Sequence, residues 1–182
     1  ITFTSGATES NNLAIFGAAK GLAKKGDTRR HIITSKIEHK AILEACELLE
    51  DDGYKVTYLT PTKEGIITSE MVEDAIDEDT FLVSIAQANS VLGAISDVHA
   101  IASVCKKHQV FFHTDTAQSI GYLKMDYDHS DIDMVSLTAE KVCGPKGVGA
   151  LYVRRSSNVP LFAQIYGGGQ EKGLRGGTVP TH

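Results

Sequence analysis

The sequence predicts an α/β fold: three layers, α/β/α, around a mainly parallel seven-stranded mixed sheet. Three observations predict it. Short β-rich runs alternate with helical patterns along the chain. Several runs are continuously apolar, as in His31-Ile32-Ile33 and Phe81-Leu82-Val83-Ser84-Ile85, which suits strands covered on both faces. The composition, 42% hydrophobic and 23% charged over 182 residues, suits one large domain with a real core.

The elements follow in order. Ile1–Thr4 is a strand already in progress, without an initiator Met. The chain ends at Pro180-Thr181-His182, straight after a glycine-rich stretch. Both ends read as cuts from a longer protein. Glu9–Lys25 is a helix with Leu13, Phe16, Gly17 and Lys20 at helical spacing, and Gly26 stops it. His31–Ser35 is a strand. His39–Asp51 is an amphipathic helix with Ile42, Leu43, Cys46 and Leu49 on one side. Lys55–Thr60 is a strand and Ser69–Asp77 a short helix carrying Met71, Val72, Ala75 and Ile76. Thr80–Ala86 and Val110–Asp115 are strands on either side of a helix, Val98–Lys107. Asp133–Ala139 and Gly149–Arg154 are the last strands. Only Glu140–Val148 joins them, too short for a crossover helix, so they form an antiparallel addition or lie apart. All 182 residues read as one domain. Gly167–Gly177 has six glycines in eleven residues and by composition is a mobile surface loop.

Charge and cysteine content narrow the partners. Eighteen basic and 23 acidic residues leave a net charge of -5, with no basic cluster, which argues against nucleic acid. No run of about 18 apolar residues suggests a membrane span, and no signal peptide is visible. Cys46, Cys105 and Cys143 are odd in number and far apart, with no C-x-x-C pair. That pattern predicts a reducing compartment, no zinc site and no metal.

In open α/β sheets, ligands bind beyond the carboxyl ends of the strands. The first strand exits through Ser5-Gly6-Ala7-Thr8-Glu9 into a helix. Small residues and a helix N-terminus suit a phosphate, with Thr8 donating; equally, Ser5 or Thr8 could be a plain N-cap. The fifth strand ends in Asp115, a carboxylate that needs a cationic or protonated partner or else caps the next turn. The sixth leads to Lys141, a carbonyl nucleophile if desolvated and otherwise a solvated turn residue. An anion cradle, a carboxylate and a lysine on one sheet edge suit pyridoxal 5'-phosphate. The lysine would form the Schiff base, and the carboxylate would keep the pyridine nitrogen protonated.

The ordered motifs Thr4-Ser5-Gly6-Ala7-Thr8-Glu9-Ser10-Asn11-Asn12, Glu38-His39-Lys40, His113-Thr114-Asp115, Gly144-Pro145-Lys146-Gly147 and Gly167-Gly168-Gly169-Gln170-Glu171 resemble those of cysteine desulfurases. These are class V aminotransferase relatives with the large domain of the pyridoxal-phosphate type I fold. The resemblance implies roles. Lys141 would carry the cofactor, Asp115 would pair with its ring nitrogen, and His39 would stack on the ring and move protons. Gln118 and Asn89 would bind the phenolic oxygen. Ala7, Thr8 and Thr138 would hold the phosphate, and Thr178 would reach the phosphate of a neighbouring subunit. The reaction implied takes L-cysteine to L-alanine, in a cytoplasmic homodimer. Its sulfur would pass as a persulfide to iron–sulfur scaffold or other acceptor proteins, or toward thiolated tRNA. A selenocysteine lyase or other class V enzyme, or an inactive fragment keeping fold and dimer surface, are the alternatives. The family's persulfide cysteine, substrate-carboxylate arginine and small domain would lie beyond His182, so the segment alone is expected to be inactive. Glu140 stands where the family has histidine, and its charge predicts weaker cofactor binding. Ser90-Val91 replaces the usual Asn-Glu. Cys143 is expected to be structural, and Cys46 and Cys105 to be core.

Overall fold

The computed structural model describes all residues except 125, 128 and 180–182, so the expected chain end Pro180-Thr181-His182 lies outside the described residues. The strands are β1 (Thr2–Thr4), β2 (His31–Ser35), β3 (Lys55–Leu59), β4 (Thr80–Ser84), β5 (Phe111–Asp115), β6 (Met134–Thr138) and β7 (Gly149–Val153). The helices are α1 (Ala7–Lys24), α2 (Lys40–Asp51), α3 (Ser69–Ala75) and α4 (Val98–Lys107). Every expected element is present; His31–Ser35 keeps its expected bounds, and the other strands are shorter by one or two residues.

The sheet order is β1-β7-β6-β5-β4-β2-β3. Strands β2, β3, β4, β5 and β6 pair in parallel, and β7 pairs antiparallel with both β6 and β1. Of the two arrangements left open for the last strands, the adjacent antiparallel one is realised. Only β7 is reversed, so the exits of β1, β2, β4, β5 and β6 share one edge.

The continuous apolar runs are buried along their whole length in β2 and β4. Neighbouring residues point to opposite faces, as strand geometry requires. Ile32, Leu82 and Met134 pack with Leu13, Ile15, Ile42 and Cys46 of α1 and α2. Ile33, Val83 and Val135 pack with Val72, Ile101 and Cys105 of α3 and α4. Each such buried side chain removes enough apolar area to contribute about 1.5–3 kcal/mol. These two cores make the three layers. The expected placing of Cys46 and Cys105 in the core holds, and burial pushes the Cys46 thiol up to about 12.

The chain after β7 returns across α1. A Cβ on Gly21 would lie 1.5 Å from the Pro160 carbonyl oxygen, so only glycine admits this crossing. The Phe162 N–H then donates to the Gly17 carbonyl at 2.9 Å. That path carries residues 167–177 back to the sheet edge. Composition suggested a mobile surface loop; the segment is instead tied down at several points. Arg175 bridges Ile165, the Gly176 N–H donates to the Ile165 carbonyl at 2.9 Å, and the Phe3 N–H donates to Glu171 at 2.9 Å.

Candidate active site

A cleft of about 340 Å³ opens at the shared sheet edge. Its first wall is the turn between β1 and α1. Gly6 has φ 155° and ψ 178°, a region open essentially to glycine. Gly149 passes so close that a Cβ there would lie 2.5 Å from Gly6 Cα. The helix begins at Ala7, two residues before the sequence placed it, and no side chain caps it. The capping roles open to Ser5 and Thr8 are therefore not taken. The N–H groups of the first turn lack intrahelical acceptors and carry the positive end of the helix dipole. Ala7 and Thr8 line the cleft here, opposite Thr138, the buried last residue of β6. Thr138 Oγ1 would stand 3.9 Å from a Cβ built on Gly6.

The floor is Asp115, 7% exposed. Its Oδ2 accepts from Asn11 Nδ2 and its Oδ1 from the Ala117 N–H, each at 2.8 Å. It thus caps the next turn and still faces the cleft. Among the described residues no lysine, arginine or histidine is ion-paired with it. Asn11 also lines the cleft, is fully buried, and its Oδ1 has no partner. Sequence reasoning missed Asn11. Its signal is the spacing of one helical turn from Ala7.

The second wall comes from the exits of β2 and β4. His39 caps α2, its Nδ1 accepting from the Ala41 N–H at 3.1 Å. In the neutral ring the proton therefore sits on Nε2. Asn89 Nδ2 donates to the Ile37 carbonyl at 2.7 Å, and its Oδ1 accepts from the Val91 and Leu92 N–H groups. Glu38, also missed, is buried beneath both. Its carboxyl accepts from Ser35 Oγ at 2.7 Å and from the Ala86 N–H at 3.0 and 3.1 Å. Burial pushes this carboxyl up to about 7, despite the hydrogen bonds from Ser35 and Ala86.

The third wall follows β6. Residues Ala139–Val142 form one 3-10 turn, closed by Cys143 at φ 62°. Cys143 is exposed, outside either core. Lys141 and Glu140 both line the cleft and are 44% and 42% exposed, with Lys141 Nζ 3.7 Å from Glu140 Oε1. Gln118 is exposed at the rim. The cleft therefore brings together Ala7, Thr8, His39, Asn89, Asp115, Gln118, Thr138 and Lys141. Thr178 is exposed and not among the cleft residues of its own chain; the partner expected for it is a second subunit.

The residues present fit pyridoxal phosphate. A buried carboxylate without a cation suits a protonated ring nitrogen, the orphan Asn11 Oδ1 suits a polar ligand, and the Gly6–Gly149 approach shapes an anion turn. A lysine stands across the same cleft. Among the described residues no group of three or more His, Cys, Asp or Glu side chains is placed to hold a metal. Nor is any described helix long and apolar enough to cross a membrane.

A family model, aminotransferase class-V, matches residues 1–178. The chain is 54% identical over its whole length to a cysteine desulfurase IscS of Tolumonas auensis, and 52% to that of Photobacterium profundum. It spans only 44% of each of those relatives. Among solved structures, SspA in complex with cysteine superposes with a TM-score of 0.92 at 50% identity, over 99% of this chain and 51% of that one. DndA from Streptomyces lividans does so with a TM-score of 0.88 at 43% identity, over 98% and 50%.

Proposed function

The chain belongs to the class-V aminotransferase family, and from that premise we propose that it is the cofactor-binding domain of a pyridoxal-phosphate cysteine desulfurase. One observation carries the reading: Asp115, a buried carboxylate with two N–H donors and no paired cation, faces a lysine across one cleft. Relatives named cysteine desulfurase and a similar structure holding cysteine support L-cysteine as the substrate. When bound, the cofactor supplies an electron sink for bonds broken at the substrate α-carbon.

The chain's own residues divide the work. Asp115, oriented by Asn11 and Ala117, holds the ring nitrogen's proton. Ala7, Thr8 and Thr138 bind the phosphate at the start of α1. His39 faces the ring and moves protons at Nε2. Asn89, with one amide hydrogen uncommitted, and Gln118 orient the phenolic oxygen. Lys141 is the attachment point and proton carrier. In this reading the protein works as a cytoplasmic homodimer, with Thr178 serving the neighbouring subunit. The substrate L-cysteine would leave as L-alanine, and its sulfur, carried as persulfide, would go to iron–sulfur scaffold or other acceptor proteins.

The test is absorbance of the purified protein after adding pyridoxal phosphate. A visible band that Lys141→Ala abolishes supports the reading, and wild-type protein without a band overturns it. Production of alanine and sulfide equivalents from L-cysteine by the whole protein then checks the substrate. A specific observation favours weak cofactor binding: Glu140 lies in the cleft beside Lys141 and competes for its charge.

A further inference from the structure

Besides Asp115 and Glu140, the cleft holds a third carboxylate, Glu9, in the first turn of the helix that is to receive a phosphate. An unscreened carboxylate there would oppose a dianion. Glu9 is not unscreened. Its Oε1 accepts from Arg175 Nε at 2.9 Å, and its Oε2 accepts from the Ser5 N–H at 2.8 Å and Arg175 Nη2 at 3.4 Å. The side chains are 19% exposed for Arg175 and 16% for Glu9. Burial alone would raise the Glu9 pKa, but the Arg175 and Ser5 bonds outweigh it and hold the group below the usual carboxylate range.

Glu9 is the third helical residue after Gly6, the position from which a glutamate reaches back over a helix start. Here it closes the Ser5-Gly6-Ala7-Thr8 turn through the Ser5 N–H. Arg175 comes from the far end of the chain and is fixed by its own backbone. Its bridge to Ile165 requires residues 167 and 176 to lie close, and a Cβ on Gly176 would meet Gly167 N at 2.6 Å. Gln170 Oε1 accepts from the Gly177 N–H at 3.0 Å and holds the loop's other limb.

We propose that Arg175 is a positioning residue that clamps and neutralises Glu9, so that the Ser5–Thr8 turn accepts a phosphate dianion. The proposal rests on the cofactor reading above. It assigns to the glycine-rich loop a task at its own chain's cleft: delivering one guanidinium to the anion turn.

The experiment compares uptake of pyridoxal phosphate and of pyridoxal, which lacks the phosphate, by absorbance titration. Arg175→Ala should weaken pyridoxal phosphate binding about tenfold and pyridoxal binding less than about twofold. In the double variant Glu9→Gln with Arg175→Ala, the amide still accepts from Ser5 but carries no charge. It should recover most of the loss. Equal weakening toward both compounds, or no recovery in the double variant, overturns the proposal by showing a general folding role. Amide exchange at Ser5, measured without cofactor, should be faster in Arg175→Ala; an unchanged rate overturns the clamp by itself. If the wild type takes up no pyridoxal phosphate, the reading above fails, and the anion-binding half of this one with it.

Discussion

The two sides of the cleft are built differently. On the β2–β4 side Glu38 and Asn89 are each tied by several hydrogen bonds. Glu38 ties Ser35 to Ala86, Asn89 ties the Val91–Leu92 turn to Ile37, and the Gln87 N–H donates to the Asp115 carbonyl at 3.0 Å. On the β6–β7 side Glu140 and Lys141 are over two-fifths exposed and share one ion pair. The multiply hydrogen-bonded groups and the solvent-facing ion pair are thus segregated by strand within a single cleft.

Breaking the fixed side should have the largest effect. Glu38→Ala leaves the buried Ala86 N–H and Ser35 hydroxyl without their acceptor, and should cost about 3 kcal/mol in urea unfolding. Equal stability of variant and wild type would show that this side is not held as described.

The next effect is in pH. The folded Glu38 carboxyl titrates near 7, above its unfolded value, so the folded state binds more protons in between. Stability therefore falls as pH rises through that window. Relative to Glu38→Gln, which cannot titrate, the wild type should lose roughly 2 kcal/mol between about pH 5 and pH 7. A constant difference across that range would refute the assignment. His113 works in the opposite sense. Sealed between Ser84 and Ser136 hydroxyls at 2.8 and 2.9 Å, it is pushed down to about 3 by burial. It stays neutral in the fold, so its contribution is lost as pH falls below the unfolded histidine range.

The loose side should respond weakly in stability and clearly in binding. Glu140→His should tighten pyridoxal phosphate a few-fold by removing a carboxylate, with unfolding free energy changed by less than about 0.5 kcal/mol. A large loss of stability in this variant would erase the contrast between the two sides.

The sequence made the loose side and the strand exits legible, for a definite reason. A strand exit is where an apolar run meets polar residues, so Asp115, Lys141 and Asn89 stand out within a few positions. The start of α1 was misplaced by two residues because Gly6 and backbone geometry begin it, not a capping side chain. Glu38 reads in sequence as part of a polar Glu-His-Lys turn, and only the packing of β2 against β4 buries it. The Glu9–Arg175 pair joins residues 166 apart, and no local periodicity records such a meeting.

The Nδ1 of His39 accepts the Ala41 N–H that would otherwise be unmatched at the start of α2. A doubly protonated imidazole has no lone pair there, so each proton taken up would release that amide. The ring's charge state is therefore written into the order of a helix terminus, and the Ala41 amide becomes a reporter of acid–base events in the cleft, visible by NMR without any label on the histidine.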